Sequence, residues 1–325
     1  MNTQAILLEQ CGGPDVLRLR TVALPDPGPG EVRVRHTAIG VNYIDIYHRT
    51  GLYPLPQLPG GLGLEAAGVV QAAGPGVTRF APGDRVACCS GPPGAYAEAR
   101  NLPATALVRL PPDISDDAAA AVLLKGMTAE YLLFRTHGVK AGDTILVHAA
   151  AGGVGLLLCS WAKRIGARVI GTVGTDAKAD LARAHGCDVP VVTAREDFAR
   201  VVRAETGGRG VPVVYDGVGR DTLMKSFDCL GLRGHLVLFG QSSGAPDPFP
   251  LALLGTKSAS ITRPTLFHYA TGPDALDEIS AHLFAAVREG ILKPLITARY
   301  PLADAARAHA DLQGRKTTGS LLLAP

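Results

Sequence analysis

A chain of 325 residues, at about 150 per domain, has room for two domains, and 47% hydrophobic against 19% charged residues excludes a largely disordered polymer. The balance of 32 Lys and Arg against 29 Asp and Glu is too slight and too evenly mixed for a polyanion-binding surface, so nucleic acid is not an expected partner. Gly 39 and Pro 24 announce many tight turns, while Cys11, Cys88, Cys89, Cys159, Cys187 and Cys229 form no CxxC pair, which argues against a disulfide framework or thiolate zinc and for a reducing cytoplasm.

The amino terminus, MNTQAILLEQ, lacks the basic stretch before an apolar run that a secretory signal needs. PDPGPGE at 25–31 is turn chemistry. Val32, Val34, His36 and Ala38 then alternate with Arg33, Arg35 and Thr37, the period of a half-buried strand. The segments at 61–77, 82–87 (PGDRVA) and 94–99 (GAYAEA) read as short strands punctuated by Gly and Pro, so an antiparallel, barrel-like β domain is expected. From about residue 126 the rhythm changes. Strands at 145–150, 167–173, 189–192 and 212–216 alternate with helices ending near Ile165, His185 and Glu205, and a doubly wound parallel sheet is the economical solution. A helix around Thr222–Leu230 and a strand at 235–240 (HLVLFG) follow. Beyond about 262 the chain turns helical over Leu276–Glu289 and reaches a strand at 320–325. The longest uncharged stretch, Thr144–Ala162, has 19 residues, but His148 and the glycines at 152, 153 and 155 make it strand, turn and helix; no membrane association is expected.

The turn in question, AAGGVG at 150–155, matches GxGxxG with Ala in the first slot. Gly152 and Gly153 let the backbone approach a pyrophosphate. Val154 opens the helix whose amides face it, and Gly155 permits close packing of helix on strand. Val154, Leu157, Leu158, Trp161, Ala162 and Ile165 fall on one helical face, with Gly166 at the cap position. A pocket for NAD wants an acid about 20 residues further on; that place reads Thr172, Val173, Gly174, with Lys178 four residues later. The reading is therefore NADPH, with Gly174 leaving space and Lys178 pairing with the 2′-phosphate. Asp176 opposes this reading if it turns inward, and Lys178 also reads as a solvated residue of a helix face.

At this point the chain resembles a family: the zinc-independent, zeta-crystallin-like quinone oxidoreductases of the medium-chain dehydrogenase/reductase superfamily. The resemblance is carried by AIGVNYIDIYHRTGLYP (38–54), LPGGLGLEAAGVV (58–70), HAAAGGVGLLLCSWAK (148–163), IGTVGT (170–175), VVYDGVGRDT (213–222) and GRKTTGSLLL (314–323). It implies an α/β protein with a GroES-like β-barrel catalytic domain at 1–125 and 263–325, and a Rossmann NADP(H)-binding domain at 126–262. It implies an NADPH-dependent reductase of quinones acting as a homodimer. The same pocket suits α,β-unsaturated carbonyls, and a non-enzymatic alternative is the AU-rich RNA binding or lens-structural role found among zeta-crystallin-like proteins.

The resemblance also implies residue roles. Asn42, Asp45, Tyr47 and Tyr53 match pocket positions beside the nicotinamide, although Tyr47 and Tyr53 read equally as packing residues, and Thr128 matches a further position near it. Gly152, Gly153, Val154, Gly155, Gly174, Lys178 and Arg315 match phosphate contacts; Phe239, Gly240 and Ser242 match the loop bordering the nicotinamide ribose. Asn42 and Leu64 stand where zinc-using alcohol dehydrogenases carry a Cys and a His, and CCSGPPGAYAE (88–98) replaces the structural zinc lobe, so no metal is expected. Thr193 stands where bacterial relatives hold the adenosine end with a Tyr.

Overall fold

Two hydrophobic rhythms produce two cores. A computed structural model describes residues 1–325. One compact unit comprises Met1–Leu124, Ala270–Ala285 and Pro294–Pro325; the other comprises Lys125–Tyr269 and Ala286–Lys293.

The first unit opens with strands β1 (Asn2–Leu8), β2 (Leu17–Ala23), β3 (Glu31–Val41), β4 (Gly60–Gly61), β5 (Glu65–Ala73), β6 (Arg85–Cys88), β7 (Ala99–Pro103) and β8 (Leu107–Arg109). Helix α1 (Tyr43–Thr50) follows β3, and α2 (Asp116–Glu130) follows β8. In β3, Val32 and Val34 are buried as the alternation requires, but so is Arg33, because its guanidinium reaches the Pro25 carbonyl at 2.6 Å. Of the segment 94–99 only Ala99, which opens β7, lies in a strand, and Ala97 makes a single antiparallel bridge to Ala5. The rest is irregular and largely buried, pinned by backbone bonds from Tyr96 N to Leu62 O (2.9 Å) and Ile6 N to Tyr96 O (2.8 Å), which satisfy its backbone without a continuous ladder.

In the second unit, β9 (Thr144–Val147), β10 (Arg168–Val173), β11 (Val189–Val192), β12 (Val211–Asp216), β13 (Leu230–Leu238) and β14 (Ser260–Thr262) alternate with α3 (Gly153–Ile165), α4 (Asp176–Ala184), α5 (Phe198–Glu205), α6 (Leu223–Asp228), α7 (Ala252–Gly255) and α8 (Leu266–Tyr269). The strands are parallel in the order β11-β10-β9-β12-β13-β14, the doubly wound arrangement. Leu146, Ile170, Val191, Val214 and Leu236 form its inner row. The strand expected at 235–240 starts earlier and stops at Leu238, because Phe239 and Gly240 already turn to the Asp216 carbonyl. Helix α3 is buried more widely than its predicted stripe: Leu156 and Cys159 are also covered, and Trp161 packs edge-on against Phe134 of the π-helical turn Tyr131–Thr136 that extends α2.

The chain then returns to the first unit through much of α9 (Gly272–Arg288), β15 (Ile296–Pro301), α10 (Ala305–Gln313) and β16 (Ser320–Ala324). β16 lies between β15 and β3 in a seven-stranded sheet ordered β15-β16-β3-β5-β6-β8, with β7 also paired to β3. β2, β1 and β4 form a second, three-stranded sheet. No helix is long and apolar enough to cross a membrane.

Candidate active site

In the parallel-sheet unit the carboxyl ends of β9, β10 and β12 converge where the strand order reverses, the place where such sheets bind ligands. The turn after β9 holds Ala149 at φ +52°, a conformation that a side chain resists. Gly152 caps α3, and Gly153, Val154 and Gly155 form the helix's first turn. A Cβ on Gly155 would lie 2.2 Å from the Ala149 carbonyl and 2.8 Å from Ala150 Cα, so only glycine lets helix and turn approach this closely. The first-turn amides and the helix dipole suit a pyrophosphate.

A buried polar chain ties the three strand ends together. Ser226 Oγ donates to Asp216 Oδ2 (2.8 Å). His148 Nε2 therefore donates to Ser226 Oγ (2.9 Å), and its Nδ1 accepts from Thr172 Oγ1 (2.9 Å). Burial keeps this histidine below its usual range, hence neutral. Asp216 Oδ1 also accepts the amides of Val218 (2.8 Å) and Gly219 (3.0 Å), which orders the loop after β12. Phe239 N reaches Asp216 O at 2.9 Å and Ser242 N reaches Gly217 O at 3.1 Å, so Phe239, Gly240 and Ser242 are joined to that loop.

At the end of β10, Gly174 is exposed, and a Cβ there would meet nothing within 4 Å. Lys178 stands on the first turn of α4, where its amide donates to Thr175 Oγ1 at 3.3 Å. Thr193 is exposed and spends its hydroxyl on the Val173 carbonyl (3.2 Å). Thr128 is half-buried on α2, one residue short of that helix's final pair before the π-helical turn. The space at Gly174, the cation at Lys178 and the open helix terminus fit NADPH.

In the barrel-like unit, Asn42 begins α1 with extended backbone and buries its side chain. Its Nδ2 donates to Glu65 Oε2 at 2.7 Å, and Glu65 Oε1 accepts the Leu124 amide at 2.7 Å. Asp45 folds back to accept the Asn42 amide at 2.8 Å, capping the helix. The same Asp45 oxygen accepts from the Tyr96 hydroxyl at 2.8 Å, and Tyr96 Oη meets His309 Nε2 at 3.0 Å. Arg49 Nη1 lies 3.2 Å from His309 Nδ1. Guanidinium only donates, so Nδ1 accepts and Nε2 carries the proton; the chain runs in one direction from Arg49 through His309 and Tyr96 to Asp45. Burial first, and the Arg49 charge second, push His309 down to about 3. Burial and then Asp45 push the Tyr96 hydroxyl far up, so both links are neutral.

Tyr47 and Tyr53 meet edge-on with ring centroids 5.0 Å apart, and Tyr43 joins at 5.4 Å from Tyr47. Tyr53 is anchored by its amide on the Tyr47 carbonyl at 3.1 Å. Tyr43 and Tyr47 of α1 and Tyr53 just beyond the helix therefore form a row of phenol rings. Arg315, exposed just past α10 with φ +57°, is close enough for its charge to oppose the upward shift that burial imposes on Tyr43.

A zinc ion does not fit these residues. Leu64 offers no donor atom, the Asn42 amide is engaged by Glu65, and no three His, Cys, Asp or Glu side chains converge. Tyr96, His309 and Arg49 were invisible to sequence reasoning, since Tyr96 and His309 lie 213 positions apart and no local spacing links them.

Residues 28–112 match the alcohol dehydrogenase GroES-like domain family, and residues 153–281 match the zinc-binding dehydrogenase family. The chain is 50% identical to a quinone oxidoreductase of Pseudomonas aeruginosa, with 97% of each chain covered. It is 48% identical to a 2-haloacrylate reductase of a Burkholderia species over 99% of this chain and 98% of that one. The crystal structure of Escherichia coli quinone oxidoreductase complexed with NADPH superposes with a TM-score of 0.97 at 46% identity, covering 99% of this chain and all of the other.

Proposed function

Because the chain belongs to the quinone oxidoreductases of the medium-chain dehydrogenase/reductase superfamily, we propose that it reduces quinones with NADPH and without a metal ion. The observation that carries this reading is the glycine-lined turn before α3, with a rim beyond β10 that is open at Gly174 and bears Lys178 on α4. Bound NADPH supplies a hydride, and with one proton from solvent the quinone becomes the hydroquinone.

Within this reading, residues 126–262 bind the dinucleotide. Gly152, Gly153, Val154 and Gly155 hold the pyrophosphate; Gly174 and Lys178 admit the 2′-phosphate; and Phe239, Gly240 and Ser242 border the nicotinamide ribose, near which Thr128 is placed. Residues 1–125 and 263–325 bind the acceptor. Asn42 keeps a second amide hydrogen for a developing oxyanion while Glu65 fixes its orientation. Asp45 holds the loop, Tyr47 and Tyr53 form an apolar wall with hydroxyl donors, and Arg315 is assigned a phosphate contact.

The relative named 2-haloacrylate reductase favours a second reading, in which the acceptor is an activated alkene conjugated to a carbonyl. NADPH oxidation measured with 1,4-benzoquinone, 1,4-naphthoquinone, an enone and 2-chloroacrylate separates the two. Quinone kcat/KM is expected to exceed the others at least about tenfold; turnover confined to alkenes would overturn the quinone assignment. The reading extends to a cytoplasmic homodimer. β14 is an open edge of the parallel sheet, Leu232 and Leu251 are 81% and 71% exposed, and all six cysteines are thiols. Light scattering after size exclusion tests the dimer.

A further inference from the structure

Arg195 grips Asp176 with both arms: Nη1 lies 3.0 Å from Oδ2 and Nη2 lies 2.7 Å from Oδ1. Asp176 is the first residue of α4, two positions before Lys178, and Arg195 follows β11 by three. Since β10 and β11 pair in parallel, with Val173 opposite Val192, the two loops leave the sheet side by side.

This is the edge where a doubly wound sheet receives the adenosine ribose. An acid there accepts the ribose hydroxyl of NAD, whereas a 2′-phosphate requires cations. Asp176 has the wrong charge for the phosphate. Its position at the start of α4 explains why an acid is tolerated, because it complements the helix dipole. Arg195 is its dominant partner: Arg183 adds only a lesser favourable charge and is itself paired with Asp180, while Glu196 is acidic, 3.8 Å from Arg195 Nε and bound to the Val192 amide at 3.1 Å.

We propose that Arg195 is a specificity-determining residue, which masks the Asp176 carboxylate and thereby lets this rim accept the 2′-phosphate of NADPH. The inference rests on the NADPH reading above. Both oxygens of Asp176 point to the guanidinium, so the pair is nearly neutral towards a ligand. Without Arg195, the carboxylate faces the phosphate with its full charge, and NADH, which lacks that phosphate, is spared.

The test titrates NADPH, NADH and adenosine 2′,5′-bisphosphate by calorimetry into wild type, Arg195→Ala, Asp176→Asn and the double variant. Arg195→Ala is expected to weaken NADPH and the bisphosphate about tenfold and NADH less than about twofold. Adding Asp176→Asn to Arg195→Ala is expected to restore NADPH to within about threefold of wild type, and 0.5 M salt to shrink the single-variant loss. A double variant as weak as Arg195→Ala would overturn the masking role, as would an Arg195→Ala variant with an unchanged NADPH-to-NADH ratio. A wild-type chain that binds both cofactors alike overturns the cofactor reading itself, and that result is read before any variant is made.

Discussion

Asn42 and Glu65 meet at 2.7 Å inside the barrel-like unit, where the carboxylate's second oxygen is filled by the Leu124 amide. A carboxylate offers only acceptors, so the contact fixes which end of the Asn42 amide faces it. Glu65→Gln keeps the shape and one acceptor but sets NH2 against NH2, forcing one amide to flip. Quinone kcat is expected to fall about tenfold, the equivalent of about 1.4 kcal/mol. NADPH affinity should be unchanged; steady-state kinetics beside a cofactor titration check both.

His309 and His36 are buried neutral, each held down to about 3, His309 by burial and then Arg49, His36 by burial and then Arg100. Unfolded histidine takes up a proton below about 6.5. Between there and about 3 the unfolded chain binds protons that the folded chain refuses, so stability falls as pH falls, by about 1.4 kcal/mol per pH unit for each group. In His309→Gln the slope of unfolding free energy against pH is expected to be shallower by that single-proton amount. Urea denaturation at intervals from pH 6 to pH 4 measures it, and an unchanged slope refutes the neutral assignment.

Gly155 and Gly174 should respond oppositely to alanine. At Gly155 the added carbon runs into the Ala149 carbonyl and Ala150 backbone, none of which can retreat without moving the turn. A loss of more than about 2 kcal/mol is expected, together with most NADPH binding. Gly174→Ala meets open space and should change stability by less than about 0.5 kcal/mol. Thermal unfolding with and without NADPH distinguishes the two, since only the first should lower the melting point of the ligand-free protein.

Chelation should have no effect. With Leu64 in place of a ligand and no convergent donor trio, prolonged dialysis against a chelator is expected to leave quinone turnover within error, and added zinc should not raise it. Recovery of activity by zinc alone after dialysis would contradict the donor geometry.

The doubly wound sheet was legible because its strands are short apolar runs, several of them followed by Gly, and the turn at 150–155 carries its own chemistry in its spacing. The row from Asn42 to Tyr53 was legible only through resemblance, since nothing local marks Asn42 as a partner of Glu65. Hidden altogether were the contacts that depend on tertiary closure. The Tyr96 to His309 link and the His148 to Ser226 link join residues that no periodicity relates. The strand expected at 94–99 survives only as a bridge at Ala97 and the start of β7 at Ala99, for a related reason: Tyr96 satisfies its backbone against Leu62 and Ile6 rather than in a continuous ladder. Asp176 was read as an obstacle to a phosphate until the structure supplied its counter-charge.

The place of β16 between β3 and β15 sets an order of events during synthesis. The parallel-sheet unit draws on one uninterrupted run and a short return, so it is complete once Lys293 has left the ribosome. The other core stays unfinished, with the Ile39–Val41 end of β3 lacking its β16 partner, until Ser320–Ala324 have emerged. Nascent chains stalled before that point should carry a protease-resistant middle and a sensitive beginning, the reverse of the amino-terminal-first habit of most two-domain polypeptides.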